Sequence, residues 1–224
     1  MKTALAGQTA PPNIAYMFRP VCQGPCRSRG WLSYLRHRRA ESRPLDLNEA
    51  GASFRLSSGE TLAAASMQQP LAVVFLRHFG CTFTRRILRG LETLKTEADR
   101  NGARLVLVHM LREGSEAAYL PGDPQAVARI ADPECRLYRA FGLGRGGLLE
   151  LFGPQVWVPM AISLLRGCGM GYPVSDGAQM PGAFLFHQGR VTACQLPRSQ
   201  AFLPDLARLF DSAAPSAPPL RAIA

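Results

Sequence analysis

LAVVFLRHFGCTFTRRILRGLETLKTEADRNGARLVLVHM, Leu71 to Met110, holds two continuous apolar runs of strand length, LAVVFL (71–76) and RLVLVHM (104–110). Between them Ile87, Leu88, Leu91 and Leu94 recur at helical spacing, and Gly102 follows as a stop signal. Runs apolar at every position suit strands buried on both faces of a sheet, whereas strands with one wet face alternate. The stretch therefore reads as strand, helix (about 82–101), strand, with the strands parallel and joined by a right-handed crossover. The class is α/β.

Further elements follow on both sides. Ala52–Leu56 and Thr61–Ala63 flank a turn-like Ser57-Ser58-Gly59-Glu60, which predicts an N-terminal hairpin opening the domain. Downstream the pattern predicts a short helix at 115–119, a strand at 126–131, a helix at 133–141, and strands 182–187 and 190–194 around the Gln188-Gly189 turn. A last helix is expected at about 198–211. The domain reads as 51–212, with residues 1–50 a basic, disordered extension and 213–224 a Pro/Ala-rich tail. Residues 143–175 interrupt the rhythm as an apolar insert. Its centre, Leu151 to Leu165, has fifteen residues without a charge, but Pro154 and Pro159 break it, so no membrane span is expected. The insert is expected to roof the crevice near Cys81, with a homodimer contact the next expectation.

The chain has 224 residues, 47% of them hydrophobic, and a net charge of +10. Residues 1–50 carry eight Lys/Arg against three Asp/Glu; the rest is only mildly basic. Trp31 and Tyr34 lie among these arginines, but no nucleic-acid module accompanies them, and no specific nucleic acid is expected as a partner. The N-terminus lacks the apolar core of a secretory signal, which places the protein in the cytoplasm and its six cysteines in the thiol state. Cys22-x-x-x-Cys26 with His37 offers too few ligands for zinc, so no metal is expected. Gly142, Gly144 and Gly147 fit G-x-G-x-x-G but follow a helix, not a strand, so no cofactor is expected either.

Cys81 falls where a strand ends and a helix begins. In open α/β sheets ligands bind in that crevice, and the free N–H groups of the first helical turn favour a negative charge such as a thiolate. Arg77, Arg85 and Arg86 would push the same way. Thr84, one turn on, could offer its hydroxyl to the sulfur. His78 could donate a hydrogen bond or carry a proton near neutral pH. The opposing view is a buried, inert cysteine among solvated arginines.

The run VVFLRHFGCTFT, then RLVLVHM, ADPECRLYRAFGL and AQMPGAFLFHQGRV, resembles the AhpC/TSA-like, peroxiredoxin-like branch of the thioredoxin superfamily over about residues 52–211. That branch includes proteins described as selenoprotein L-related and the prostamide/prostaglandin F synthase relatives. The resemblance implies a thioredoxin-like fold, a central mixed β-sheet flanked by helices. It implies that Cys81 is the redox-active residue and that Pro181, after Met180, is a cis-proline facing it. It also implies a peroxide or other small oxidised substrate and a thiol reductant of thioredoxin, glutaredoxin or glutathione type. Two features depart from the family. Thr84 stands where many members have a second cysteine, and Val74 and His78 stand where typical peroxiredoxins have the Pro and Thr of their peroxide pocket. The implied chemistry is one-cysteine peroxide reduction. Alternatives are a thiol–disulfide or carbonyl/endoperoxide reductase, or a binding module without catalysis. Cys168, between Gly167 and Gly169, is the candidate resolving thiol, with Cys135 and Cys194 as competitors.

Overall fold

A computed structural model describes residues 45–213. At its centre are β1 (Leu71–Phe75), β2 (Arg104–His109), β3 (Ala128–Ala131), β4 (Gly182–His187) and β5 (Arg190–Gln195), in the order β3-β2-β1-β4-β5. β1, β2 and β3 run parallel, while β4 and β5 pair antiparallel to their neighbours. The side-chain period of two divides LAVVFL between the faces. Leu71, Val73 and Phe75 join a core with Val106, Val108, Tyr138 and Phe184, while Ala72, Val74 and Leu76 join another with Leu105, Leu107, Ile87 and Leu88. Both faces are covered by helices, which is why the strands read as unbroken apolar runs. This is the central mixed β-sheet flanked by helices that the resemblance implies.

The predicted N-terminal hairpin is corrected. Helix α1 (Leu47–Ser53) and helix α2 (Leu62–Gln68) stand in its place, and the strand pairing shrinks to one bridge, Arg55 to Thr61. Local capping decided this. Asp46 and Glu49 form a reciprocal capping box, and Thr61 Oγ1 accepts from the Ala64 N–H at the start of an alanine-rich segment.

The crossover helix is two helices, α3 (Thr82–Arg89) and α4 (Leu91–Arg100), hinged at Gly90. The predicted helix at 133–141 narrows to α5 (Arg136–Ala140), because Cys135 takes a left-handed φ of 51° and Asp132 accepts from the Arg136, Leu137 and Tyr138 N–H groups. The predicted helix at 198–211 shrinks to α8 (Leu206–Ala213). Pro204 disfavours helix before it, and the Asp205 carboxylate accepts from the Arg208 N–H. The turn at Gln188-Gly189 is as expected, with φ of 52° and 72°.

The insert folds as α6 (Leu148–Phe152) and α7 (Pro154–Leu165). Pro154 opens α7, where its missing N–H is no loss, but Pro159 lies inside the helix and does not break it. Leu148–Leu165, with a mean hydropathy of 1.4, is long and apolar enough by composition to cross a membrane, but it is divided into two helices at Gly153. The glycine-rich run before it is structural. Gly144 O accepts from Met180 N and Gly146 N donates to Ala178 O, tying residues 144–146 to the segment before β4.

Candidate active site

Five residues, Leu76 to Gly80, carry the chain from β1 to Cys81, which is the N-cap residue of α3. The turn is closed by the Cys81 N–H donating to His78 O. Gly80 is required by close approach. A Cβ there would sit 2.0 Å from Tyr172 O, and the Gly171 N–H donates to Gly80 O at 2.9 Å. The end of the insert is thereby laced to the Cys81 turn, and Thr82 Oγ1 donating to Gly169 O adds a second tie.

Arg77 is the residue that meets the thiol. Its Nη1 lies 3.1 Å from Cys81 Sγ, and the side chain is only 3% exposed. Nε donates to Gln179 O, Nη1 also to Gln200 Oε1, and Nη2 to Gly177 O. None of these partners is a carboxylate. Cys81 is the one group among them that can ionise, and a buried guanidinium without a counter-charge is costly. The sulfur therefore sits beside a buried guanidinium that has no carboxylate partner, at the positive end of α3.

The other arginines are directed elsewhere. Arg85 Nε donates to Phe79 O, and Arg86 Nη1 to Ser163 Oγ. The expectation that all three arginines act on Cys81 reduces to Arg77. Thr84 is buried, but its Oγ1 makes no hydrogen bond, so the expected bond to the sulfur is absent. His78 is buried, and desolvation, then Arg77, then Arg85 push it down to about 3. It is neutral near pH 7 and does not carry a proton there, which corrects that expectation. The Met180-Pro181 bond is trans, correcting the cis bond that the resemblance implied. Here the segment before β4 is held to the site by Arg77 instead, through the Gly177 and Gln179 carbonyls.

Cys81 is 5% exposed and packs with Phe83 and Val156, with Met160 and Ala201 alongside. Val156 and Met160 belong to α7, so the insert does roof the thiol. Cys168 is buried with its Sγ 3.9 Å from Arg89 Nη1. The adjoining Gly169 O accepts from Thr82 Oγ1, so the 167–169 segment lies along α3 from Thr82 to the Arg89 guanidinium. Cys135 is buried at the start of α5 and Cys194 is exposed; the Cys81, Cys168 and Cys194 thiols form no disulfide. Cys22, Cys26 and His37 lie outside the described residues.

Two features were not legible in the sequence. Gln200, in a loop without any motif, joins Arg77 to the insert by donating from Nε2 to Leu151 O. At the carboxyl ends of β2 and β3, Arg129 Nε lies 3.2 Å from Glu116 Oε1, and His109 Nε2 lies 3.9 Å from Glu116 Oε2. Burial pushes His109 down to about 4, against the opposing pull of Glu116.

Residues 90–196 match the model of the family described as AhpC/TSA antioxidant enzyme. The match includes Cys135, Cys168 and Pro181 and begins beyond Cys81. No curated protein matches. Similar solved structures include a cysteine-to-serine mutant of peroxiredoxin 6 of Arenicola marina, with 10% identity, TM-score 0.46, and 70% of this chain and 66% of that one covered. A cysteine-to-serine mutant of Xanthomonas campestris peroxiredoxin Q has 18% identity and TM-score 0.46, with 72% and 86% covered. A putative thiol:disulfide interchange protein DsbE from Chlorobium tepidum has 15% identity and TM-score 0.45, with 73% and 94% covered. Over residues 90–196 the chain is similar to the family described as AhpC/TSA antioxidant enzyme, carried on a mixed five-stranded sheet flanked by helices.

Proposed function

We propose that this protein is a thiol-dependent peroxide reductase whose nucleophile is Cys81. The observation that supports it is the buried Arg77 guanidinium, 3.1 Å from Cys81 Sγ, with no carboxylate among its partners. The thiolate sulfur attacks one oxygen of a hydroperoxide. An S–O bond forms, the O–O bond breaks, and the leaving alkoxide takes a proton to become an alcohol. Sulfur is oxidised to the sulfenic acid as the peroxide gains two electrons. An external thiolate then attacks that sulfur, water leaves, and a second thiol resolves the mixed disulfide and restores Cys81. Arg77, already bonded to the sulfur, is placed to stabilise charge on the leaving oxygen. The unpartnered Thr84 hydroxyl supplies a further donor one turn along the helix.

A second reading, a binding module without catalysis, is favoured by one observation: the roof of Val156 and Met160 leaves Cys81 nearly inaccessible. Treatment of the reduced protein with stoichiometric hydrogen peroxide, trapping with a dimedone-type reagent, and peptide mapping separates the two. The peroxidatic reading expects the adduct on Cys81. An adduct confined to Cys194, with Cys81 still a free thiol, assigns the protein to the binding class.

A further inference from the structure

Most of the exposed large apolar side chains among the described residues lie on the insert, on the side that the Cys81 chemistry does not use. On α7, Val156 and Ser163 point inward, while Trp157 (69% exposed), Val158 (67%), Ile162 and Leu165 (89%) point to solvent. Leu148, Leu149 and Phe152 on α6 continue the ridge, and Met170 and Tyr172 stand exposed beyond it. Isolated exposed apolar residues are ordinary, but a continuous ridge on an 18-residue segment apolar enough for a bilayer is not.

The same segment is fixed to the fold and does not form one rod. Its two helices meet at Gly153, whose extended backbone (φ −65°, ψ 164°) bends the chain. Leu151 O and Glu150 O both accept from Gln200, and Arg86 holds Ser163. Such a segment suits lying along an interface rather than crossing it. Charge selects the interface. Arg166 closes α7 and Arg89 lies beside it, both exposed, with Arg89 Nη1 donating to Arg166 O. Residues 1–44, outside the described structure, add eight Lys/Arg against one Glu. Cations at the rim of an apolar face that carries a tryptophan match an anionic lipid surface.

We infer that the α6–α7 ridge is a docking surface for an anionic bilayer, with Trp157, Val158 and Leu165 entering the headgroup boundary and Arg89 and Arg166 meeting lipid phosphates. The inference is independent of whether Cys81 reacts. It concerns the face of α7 opposite to the one that covers the thiol.

Tryptophan fluorescence of the full chain tests it directly. The only tryptophans are Trp31 and Trp157, so Trp31→Phe leaves Trp157 as the sole reporter. With phosphatidylcholine vesicles containing about 30 mol% phosphatidylserine, its emission should shift to the blue and be quenched by brominated acyl chains. Val158→Gln with Leu165→Gln, both at exposed positions, should weaken vesicle binding by at least about tenfold while the circular-dichroism melt stays unchanged. Absence of quenching by brominated lipid overturns the inference, even if the protein floats with vesicles through its basic N-terminal residues. So does equal binding by the double variant. A blue shift that grows with protein concentration in the absence of lipid, together with a dimer on sedimentation, overturns it in favour of a second copy of the chain.

Discussion

Arg77 governs the site at the scale of single residues. Its four hydrogen bonds join the Cys81 sulfur, the segment before β4 and the Gln200 loop, so one side chain ties the thiol to two distant parts of the chain. Arg77→Met keeps the volume and removes the donors. Reaction of Cys81 with iodoacetamide at neutral pH should slow by about tenfold or more, and unfolding free energy should fall by about 2–4 kcal/mol as the Gly177 and Gln179 carbonyls lose their donor. Unchanged alkylation in a folded Arg77→Met protein would show that the sulfur does not depend on the guanidinium. Arg77 was legible as one of three candidate arginines. Its selection over Arg85 and Arg86 was not, since it depends on which side chain turns inward between β1 and α3.

Among the elements, α7 is the one that controls access to the thiol. Val156 packs on Cys81 and Phe83, whereas its neighbours Trp157 and Val158 face solvent. Val156→Ala should open the roof at a cost of about 1–3 kcal/mol and raise the rate of Cys81 alkylation several-fold, with little change at exposed Cys194. With Cys168 held at Arg89, oxidation of the folded protein should leave a sulfenic acid on Cys81 rather than a Cys81–Cys168 disulfide. Non-reducing peptide maps of the parent and of Cys168→Ser should therefore agree. Thr84→Cys places a thiol one turn from Cys81 and should divert the oxidised product into a local disulfide. A Cys81–Cys168 peptide from the parent under native conditions would mean that the 167–169 segment leaves Arg89 before resolution.

Among the described residues, two buried, neutral histidines lie on the C-terminal side of the parallel strands. His78 is pushed to about 3 and His109 to about 4, from an ordinary value of 6.5. Between those values and 6.5 the unfolded chain binds protons that the folded chain does not, so stability is fully present above the window and is lost as pH falls through it. From pH 7 to pH 5, His78 alone should account for about 2 kcal/mol of lost stability. Urea unfolding at the two pH values measures this, and His78→Gln should flatten the dependence by a similar amount. An equal pH dependence in that variant would assign the effect to other groups.

The sequence by itself determined the parallel β1-helix-β2 unit, because strands buried on both sides of a sheet must be apolar at every position, and LAVVFL and RLVLVHM have that property. It also placed Cys81 at the strand-to-helix junction, since Gly80 and the onset of helical spacing mark the turn. Pairing and capping over short distances corrected the rest: a hairpin became α1 and α2 through Asp46, Glu49 and Thr61, and a long helix divided at Gly90. Only the tertiary structure decided which groups meet the sulfur. Arg77, Gln200, Gly177 and Val156 come from separate elements, and the His109, Glu116 and Arg129 cluster is likewise drawn from three places in the chain. Such contacts depend on the three-dimensional packing of segments up to 123 residues apart, for which linear spacing carries no signal.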